Sequence, residues 1–325
     1  MKTLQNLRKI ENLIGQKVFI VGGAVRDLIL KKKPKDIDIA STAVPEEVIE
    51  KLKDEFKVIP TGIDHGTVTI VDKESGFAIE HTTFRKDIKT DGRKSVVEFT
   101  NNIIEDLSRR DFTINAMAIS LDGKFIDFFK GRVDIQRKII RTVGNPEDRF
   151  KEDFLRIVRA LRFAVKLGFT IENETLKAIE KLAPDVEKNV SAERIRDELV
   201  KANSPWIAGW MSRFGIWKDL TKNWFKIDNN PTDILVELAI FSDLDVKNLD
   251  KFKLSKHQKK LVSLFRHALN GNWKVVHSAR HNDKLIKDLK VLMKRHKPDL
   301  VKNLDRALKI SPKSKQELVD MLAKI

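Results

Sequence analysis

The stretch VFIVGGAVRDLILKKKPKDIDIASTAVPEEV, residues 18–48, decides the fold of this chain. Its apolar opening predicts a strand over Val18–Val21, which ends at a glycine pair, Gly22 and Gly23, before a short helix. Glycines let the backbone approach a phosphate, and the free N–H groups at a helix start carry partial positive charge. Arg26 could add a guanidinium fork for a triphosphate. Taken alone, such a glycine pair indicates a tight turn more often than a phosphate site.

Two carboxylates accompany the next predicted strand, IDIA at Ile37–Ala40, in which Asp36 and Asp38 alternate with isoleucines. The alternation places both carboxylates on one face. They repel one another unless a cation compensates, and Mg²⁺ binds one or two carboxylates together with substrate phosphates. A pair of such ions roughly 3.5–4 Å apart would activate a 3′-hydroxyl and stabilise a leaving pyrophosphate. The alternative is a solvated edge strand, the setting of most Asp-x-Asp pairs.

A third carboxylate, Glu80, lies in the middle of the predicted strand FAIEHTTF, Phe77–Phe84. It is either a further metal ligand on an adjacent strand or an outward-facing residue, and spacing alone does not choose between them. The turn DKESG before it indicates a hairpin. Further strands or extended pieces are predicted at Thr67–Val71, from Ile114 to Ile119, and at Lys124–Phe129.

The hydrophobic pattern changes to a helical period after Gly144. One continuous helix is predicted from Pro146 to about Leu167, with a glycine where it should end. Ser191 predicts the start of another helix, and residues 205–325 show helical patterns throughout. The sequence therefore predicts an α+β protein, in which a small head with a mixed or antiparallel sheet precedes an all-helical remainder.

Three side chains near the start of the helix after Pro146, Glu152, Asp153 and Arg156, share one face. One interpretation is a helical ion pair worth a few tenths of a kcal/mol. The other is base recognition, because adenine and cytosine both present an amine donor beside a ring-nitrogen acceptor. A carboxylate and an arginine can pair with both bases, whereas guanine and uracil would leave buried groups unpaired. Arg159 and Arg162 continue the basic side of the helix, which suits a nearby phosphate or RNA end.

The net charge of the chain is +16, and residues 201–325 hold 26 Lys/Arg against 13 Asp/Glu. This charge favours binding to an RNA backbone, although a lysine-rich solvated helical surface is the alternative. No apolar run approaches the ~20 residues of a membrane span, and the charged N-terminus is unlike a signal peptide. The absence of cysteine excludes disulfides and thiolate metal sites. We therefore expect a cytoplasmic protein.

Several segments occur in the order found in one known family: GGAVRDLIL with PKDIDIAS, EHTTFRKD, EDLSRRDFTINAMAI, DFFKGRVDIQRKIIRTVG, RFKEDFLRIVRALRFAVKLGF and VSAERIRDELVK. Over roughly residues 18–201 they resemble the class II (bacterial-type) CCA-adding tRNA nucleotidyltransferases and the bacterial poly(A) polymerases. The resemblance implies a DNA-polymerase-beta-like nucleotidyltransferase head followed by a helical neck, body and tail. The expected boundaries are 1–143 for the catalytic head, 144–201 for the base-recognising neck, 202–270 for the body and 271–325 for a basic, tRNA-binding tail.

The resemblance also implies a role for each matching residue. The catalytic carboxylates would be Asp36, Asp38 and Glu80, of which Asp36 and Asp38 hold metal. The protein template for the base would be Glu152, Asp153 and Arg156. Contacts to the nucleotide are implied for Gly22, Gly23, Arg26, Arg110, Asp111, Asn115, Asp153, Arg156, Arg159 and Arg162. A flexible loop linked to the switch from C to A addition would contain Lys86, Asp87, Asp91, Gly92 and Arg93. Lys31 departs from the family, which commonly has glycine there.

The implied reaction is template-independent addition of CMP, CMP and AMP from CTP and ATP to a tRNA 3′ end, with two Mg²⁺ ions and release of pyrophosphate. The expected partner is tRNA, bound through its acceptor stem and elbow, with no membrane or protein partner. Enzymes that add only CC or only A share nearly all these motifs, and a poly(A) polymerase is a further alternative. A non-catalytic RNA-binding protein of this fold would be expected to lack a carboxylate, whereas all three are present.

Overall fold

A computed structural model describes residues 2–90, 95–310 and 321 of the chain. Two compact units, Met1–Val190 and Ser191–Ile325, make up the protein. The first unit mixes strands and helices, and the second is helical over its described residues. The predicted α+β class is therefore confirmed. The finer division into head, neck, body and tail stays a prediction.

The strands of the first unit are β1 Phe19–Val21, β2 Asp38–Ser41, β3 Phe56–Gly62, β4 Thr67–Asp72, β5 Ala78–Thr83, β6 Arg85–Thr90, β7 Ser95–Phe99, β8 Ala118–Ser120, β9 Phe125–Ile126, β10 Ile139–Ile140 and β11 Thr170–Ile171. Seven of them form one sheet in the order β3-β4-β5-β2-β1-β8-β9, while β6 pairs with β7 and β10 with β11. The sheet is mixed because β2 and β5 run parallel, whereas its other neighbouring strands run antiparallel. The predicted β4–β5 hairpin is present.

The helices of the first unit are α1 Lys2–Ile14, α2 Gly23–Ile29, α3 Pro45–Leu52, α4 Ile103–Ser108, α5 Gly131–Arg137, α6 Pro146–Glu152, α7 Leu155–Leu167, α8 Asn173–Leu182 and α9 Val186–Asn189. Alternating side chains of β2 serve two apolar clusters: Ile39 packs with the buried residues of α1 and α3, and Ala40 packs with Val21 and Leu107. Asp38 shares the Ala40 face of β2 because side chains alternate along a strand. The core thus determines which way Asp38 faces.

Two sequence predictions about this unit are wrong in detail. The helix predicted from Pro146 to Leu167 is interrupted at Asp153, whose backbone is extended (φ −155°, ψ 103°). The Asp153 carboxylate accepts a hydrogen bond from the Leu155 N–H at 3.1 Å, and such short polar side chains compete with helix hydrogen bonds. The strand predicted from Ile114 begins only at Ala118.

The preceding residues, Thr113–Asn115, form a 3-10 turn instead of a strand. Two side-chain hydrogen bonds stabilise this turn: the Thr113 hydroxyl donates to Asp134 at 2.7 Å, and the Asn115 amide donates to Asp111 at 3.0 Å. The apolar pattern that predicted a strand here does not predict these polar contacts.

The helices of the second unit are α10 Ala192–Ala202, α11 Pro205–Arg213, α12 Lys218–Thr221, α13 Ile234–Phe241, α14 Lys256–Leu269, α15 Trp273–Ser278, α16 Asp283–His296 and α17 Val301–Lys309. Ser191 is the N-cap residue of α10, as predicted. Helix α13 is buried on all sides, and its one acidic residue, Glu237, is paired with His296 at 3.1 Å and Arg295 at 3.4 Å. Across the described ranges, no helix has the length and apolar character needed to cross a bilayer.

Candidate active site

The parallel pairing of β2 and β5 brings two of the predicted carboxylates side by side. Asp38, the first residue of β2, is in register with Glu80 in the middle of β5. Strand β2 begins at Asp38, one residue later than predicted, and Asp36 precedes it by two residues. Asp36 and Asp38 nevertheless line the same cleft. The three carboxylates therefore lie at one edge of the β2–β5 pair.

The electrostatics of this edge favour a cation. Burial raises the pKa of Asp38, the charge of Arg110 opposes that shift, and the charge of Asp36 adds to it. Burial likewise raises the pKa of Glu80, and the charges of Asp38 and Asp36 raise it further. The ionised carboxylates thus destabilise one another in the folded chain. All the donors are hard oxygens, which fit a divalent ion such as Mg²⁺. Within the described residues, no three acidic, imidazole or thiol side chains already converge into a ligand cluster.

Gly22 allows an arginine to approach this edge. Its backbone is left-handed (φ 70°), and a Cβ there would lie 2.7 Å from the Arg110 guanidinium and 3.9 Å from an Asp38 carboxylate oxygen. A side chain at this position would therefore be strained and would displace Arg110. The second glycine, Gly23, lines the cleft beside Arg26. The glycine pair serves close packing of charged side chains around Asp38.

A chain of hydrogen bonds joins four of the predicted nucleotide-contacting residues. Arg26 donates to the Asn115 carbonyl oxygen at 2.7 Å, and the Asn115 amide donates to Asp111 at 3.0 Å. Asp111 accepts two hydrogen bonds from Arg159 on α7, at 2.8 and 2.6 Å. Burial alone would raise the pKa of Asp111, but the charge of Arg159 and the hydrogen bonds lower it. Asp111 is thus a buried anion that fixes Arg159 and Asn115.

The aromatic ring of Phe163 organises three guanidinium groups. Those of Arg162, Arg26 and Arg159 lie 4.0, 5.3 and 5.6 Å from the ring centroid. The ring is itself held edge-on against Phe112, with centroids 5.7 Å apart. Cation–π attraction lets like charges gather at one place.

A strongly basic cleft of about 370 Å³ opens beside Asp36 and Asp38. Six basic side chains line it, against three aspartates: Arg26, Lys32, Lys33, Lys35, Arg162 and Lys166. Burial lowers the pKa of Lys166, and the charges of Arg162, Lys35 and Arg26 lower it further. Positive charges that crowd in this way are relieved by a polyanion, and a metal-bound polyphosphate suits a cleft with carboxylates at its edge.

The residues predicted to read a base form a second group. Arg156 donates to Glu152 at 2.5 Å and to the backbone carbonyls of Arg149 and Arg109 at 3.0 and 3.2 Å. Glu152 also accepts from Arg149 at 2.9 Å. Asp153 lies at the break between α6 and α7, so the predicted shared helical face of Asp153 and Arg156 is wrong. Three hydrogen bonds nevertheless hold the Arg156 guanidinium in one orientation.

Two residues of the predicted flexible loop, Lys86 and Asp87, lie on β6, where Lys86 forms an ion pair with Glu98 of β7 at 3.1 Å. Asp91, Gly92 and Arg93 lie outside the described residues. The hairpin was not predicted from the sequence, because charged residues dominate its first strand, β6.

Sequence reasoning missed five residues of this region, which are Asp106 and the cleft lysines Lys32, Lys33, Lys35 and Lys166. The lysine-rich segment KKKPK directly before Asp36 was the signal that could have found three of these lysines, because clustered positive charge indicates anion binding. Asp106 is fully buried and accepts hydrogen bonds from Arg109 at 2.9 and 2.7 Å and from Arg110 at 3.3 Å. Asp106 precedes Arg109 by three positions and Arg110 by four, and this helical spacing was the signal that could have found it.

Two family models and a solved structure match this chain. Residues 18–141 match the Poly A polymerase head domain, and residues 168–202 match the probable RNA and SrmB-binding site of polymerase A. The CCA-adding enzyme of Bacillus stearothermophilus, solved in complex with CTP, has 32% sequence identity and a TM-score of 0.69, over 97% of this chain and 80% of that one.

Curated relatives match the first part of the chain more closely. The CCA-adding enzyme of Oceanobacillus iheyensis is 48% identical over 189 residues, which is 58% of this chain and 46% of the relative. That of Limosilactobacillus reuteri is 48% identical over 198 residues, 60% of this chain and 47% of the relative. The matched region thus spans about half the length of these relatives.

Proposed function

The chain belongs to the family of bacterial-type CCA-adding nucleotidyltransferases and poly(A) polymerases, and on that premise we propose that it adds CMP, CMP and AMP to the 3′ end of tRNA. One observation carries this proposal. The tripeptide Arg109–Asp111 connects the carboxylate edge, through Arg110, with Arg156, through the Arg109 carbonyl. A site for phosphoryl transfer and a site for base choice are thereby held in a fixed relation.

The carboxylates supply the metal-binding part of the reaction. We propose that Asp36 and Asp38 hold two Mg²⁺ ions, with Glu80 as the third carboxylate. When held by these residues, the ions would lower the pKa of the attacking 3′-hydroxyl and stabilise the charge of the leaving pyrophosphate. The raised pKa values of Asp38 and Glu80 support this assignment. Burial, their main cause, and the neighbouring like charges both disfavour the ionised carboxylates, and a bound cation would offset both effects.

The basic cleft supplies the binding of the triphosphate. Arg26 and Arg162 can offer guanidinium forks, and Lys166 adds a further positive charge at the wall of the cleft. The CTP complex of the Bacillus stearothermophilus relative supports a nucleoside triphosphate as the ligand. The same positive charges would also hold the pyrophosphate until it is released.

Base choice requires a donor and an acceptor placed together. Arg156 presents N–H donors that are oriented by Glu152, and Asp153 follows directly as a carboxylate acceptor. This pairing suits the amine and ring nitrogen of cytosine and adenine and leaves guanine and uracil mismatched. The chemistry of these residue types, together with the fixed orientation of Arg156, therefore supports CTP and ATP as the substrates.

The second unit supplies positive charge for tRNA. Residues 251–325 contain 20 Lys/Arg against 6 Asp/Glu. Phosphate contacts by lysine and arginine release counterions and make binding strongly salt-dependent. We propose that this charge binds the acceptor stem and elbow of tRNA.

The decisive experiment is a gel assay with Mg²⁺ and three tRNA transcripts, which end at the discriminator base, at C or at CC. Each transcript receives CTP, ATP, both, or GTP with UTP. Addition of three residues only when CTP and ATP are both present supports CCA addition. Growth that stops after CC, or that starts only from CC, identifies a partial-CCA enzyme. A long ladder with ATP on any RNA identifies a poly(A) polymerase, and no product overturns the proposal.

A further inference from the structure

Asp106 lies beneath the site and has no part in the mechanism described so far. Its side chain is fully buried on the short helix α4. It accepts two hydrogen bonds from the Arg109 guanidinium and one from Arg110. The Arg85 N–H, at the start of β6, donates to it at 3.4 Å. One carboxylate therefore contacts the base of the β6–β7 hairpin and both arginines.

These contacts make Asp106 a stable buried anion. Burial alone would raise its pKa, but the charges and hydrogen bonds of Arg110 and Arg109 outweigh that effect and lower it. The neighbouring Arg85 shows how crowded the positive charges are here. Burial and the charge of Arg109 lower the pKa of Arg85 to about 10, and the charges of Asp87 and Asp106 oppose that shift. Three neighbouring guanidinium groups would repel one another and separate without a central negative charge.

Each arginine that Asp106 holds makes one contact in the site. The Arg110 guanidinium packs against Gly22 beside Asp38. The backbone carbonyl of Arg109 accepts a hydrogen bond from Arg156 at 3.2 Å. The metal-binding edge and the base-reading arginine therefore share one support, although Asp106 itself touches neither.

We propose that Asp106 is a positioning residue that holds Arg110 at the Asp38 carboxylate and holds the Arg109 carbonyl at Arg156. Its loss would slow phosphoryl transfer and weaken the discrimination between bases at the same time. A displacement of about 1 Å in such a contact can cost on the order of 10²-fold in rate. The inference rests on the proposed nucleotide transfer, since both of its consequences are read in that reaction.

The first test is the discrimination ratio, kcat/KM for CTP over that for UTP, on a tRNA lacking CCA. This ratio does not depend on the fraction of folded enzyme. Asp106→Asn is expected to lower the ratio by about 10-fold or more, since a loosened Arg156 no longer rejects uracil strictly. Asp106→Glu keeps the charge and should recover part of it. The matched control is Asp72→Asn, because Asp72 is also a buried acceptor of several hydrogen bonds but belongs to the β4–β5 turn.

The second test is a double-variant cycle with Arg110→Ala. If Asp106 acts through Arg110, Asp106→Asn should reduce kcat/KM for CTP about 10-fold in the parent and less than about 2-fold in the Arg110→Ala background. Equal losses in both backgrounds, together with an unchanged discrimination ratio, would overturn the inference and leave Asp106 a purely structural residue.

The two proposals fail in different ways. If the parent chain transfers no nucleotide, the proposed function is wrong, and positioning is then read without substrate from the ¹⁵Nε relaxation of Arg110. Asp106→Asn should increase the mobility of that side chain, whereas Asp72→Asn should not. An Arg110 side chain equally ordered in both variants contradicts positioning.

Discussion

Asp38 and Glu80 lie in register on two parallel strands, so that their carboxylates share one side of the β2–β5 pair, and the pKa of each is raised. Parallel pairing in a sheet whose other neighbouring strands are antiparallel places residues 42 positions apart side by side. The arrangement costs stability in the chain alone and becomes favourable when a divalent cation binds. The proposed function thus relies on a locally unfavourable pair of carboxylates.

The first prediction concerns Asp38→Asn. This variant is expected to lower kcat about 10³-fold or more, because a metal ligand contributes several kcal/mol of transition-state stabilisation. In EDTA at pH 7 the same variant should have a higher Tm than the parent, since the raised pKa means that the ionised Asp38 is unfavourable in the fold.

The control for this prediction is Asp54→Asn, which removes an exposed carboxylate of the same unit. Activity assays and thermal unfolding, with EDTA and with Mg²⁺, are the measurements. A kcat close to that of the parent, or a lower Tm in EDTA, contradicts the metal assignment.

The second prediction concerns pH and His81, which is buried on β5 and pairs with the Ser41 hydroxyl at 2.8 Å. Burial lowers its pKa from 6.5 to about 4. The unfolded chain therefore binds a proton that the folded chain rejects between these pH values, and stability falls as pH drops from 6.5 to 4. The loss approaches roughly 3 kcal/mol, at 1.36 kcal/mol for each pKa unit.

Urea unfolding at several pH values between 7.5 and 4 measures this effect. His81→Gln cannot take up the proton and should lose less stability over the same interval. Parallel pH curves for the parent and His81→Gln show that His81 is not the responsible group.

The third prediction concerns Lys31, which follows α2 in a left-handed conformation (φ 56°). Glycine is favoured in this conformation after a helix, so the departure of this chain from its family carries a cost. Lys31→Gly is expected to raise the free energy of unfolding by about 0.5–1 kcal/mol. Lys31→Ala retains the strained backbone, and chemical denaturation should show no gain for it; equal effects of the two substitutions refute the strain.

The fourth prediction concerns base choice. Arg156→Ala removes the donor that Glu152 orients, and it should decrease discrimination against UTP and GTP by about 10²-fold or more. The parallel variant Lys151→Ala removes an exposed cation of α6 and should leave discrimination unchanged. Competition assays with mixed nucleotides measure the ratio. Full exclusion of UTP and GTP by Arg156→Ala places base choice elsewhere.

Much of the site was predictable because it rests on local patterns. Alternation around Asp38 predicted the face of its strand, and Glu80 was a candidate ligand on a neighbouring strand. The glycine pair indicated a close approach to the backbone, and in the structure it is Arg110 that approaches Gly22.

The family resemblance indicated Asp111, and the helical spacing after Arg156 indicated Arg159. These two residues belong to different elements and meet only in the folded chain. Asp38 and Glu80 lie side by side because β2 and β5 pair in parallel. The pattern of residues within each strand does not predict which strands pair.

The remaining features depend on contacts between distant residues or on backbone detail. The extended Asp153 interrupts a strong apolar stripe because its carboxylate bonds a nearby N–H. Strand β3 contains Pro60 and polar residues, so its composition is not typical of a strand. Asp106 was missed because a buried carboxylate is recognised only from the arginines that surround it in the fold.

The most direct test of the central claim is intact-mass analysis of one tRNA transcript that ends at the discriminator base, incubated with all four nucleoside triphosphates at equal concentration and with Mg²⁺. The account predicts a single product that is heavier by two CMP residues and one AMP residue, and no product with Asp38→Asn. A product that contains GMP or UMP, or a distribution of longer adenylate tails, would contradict it.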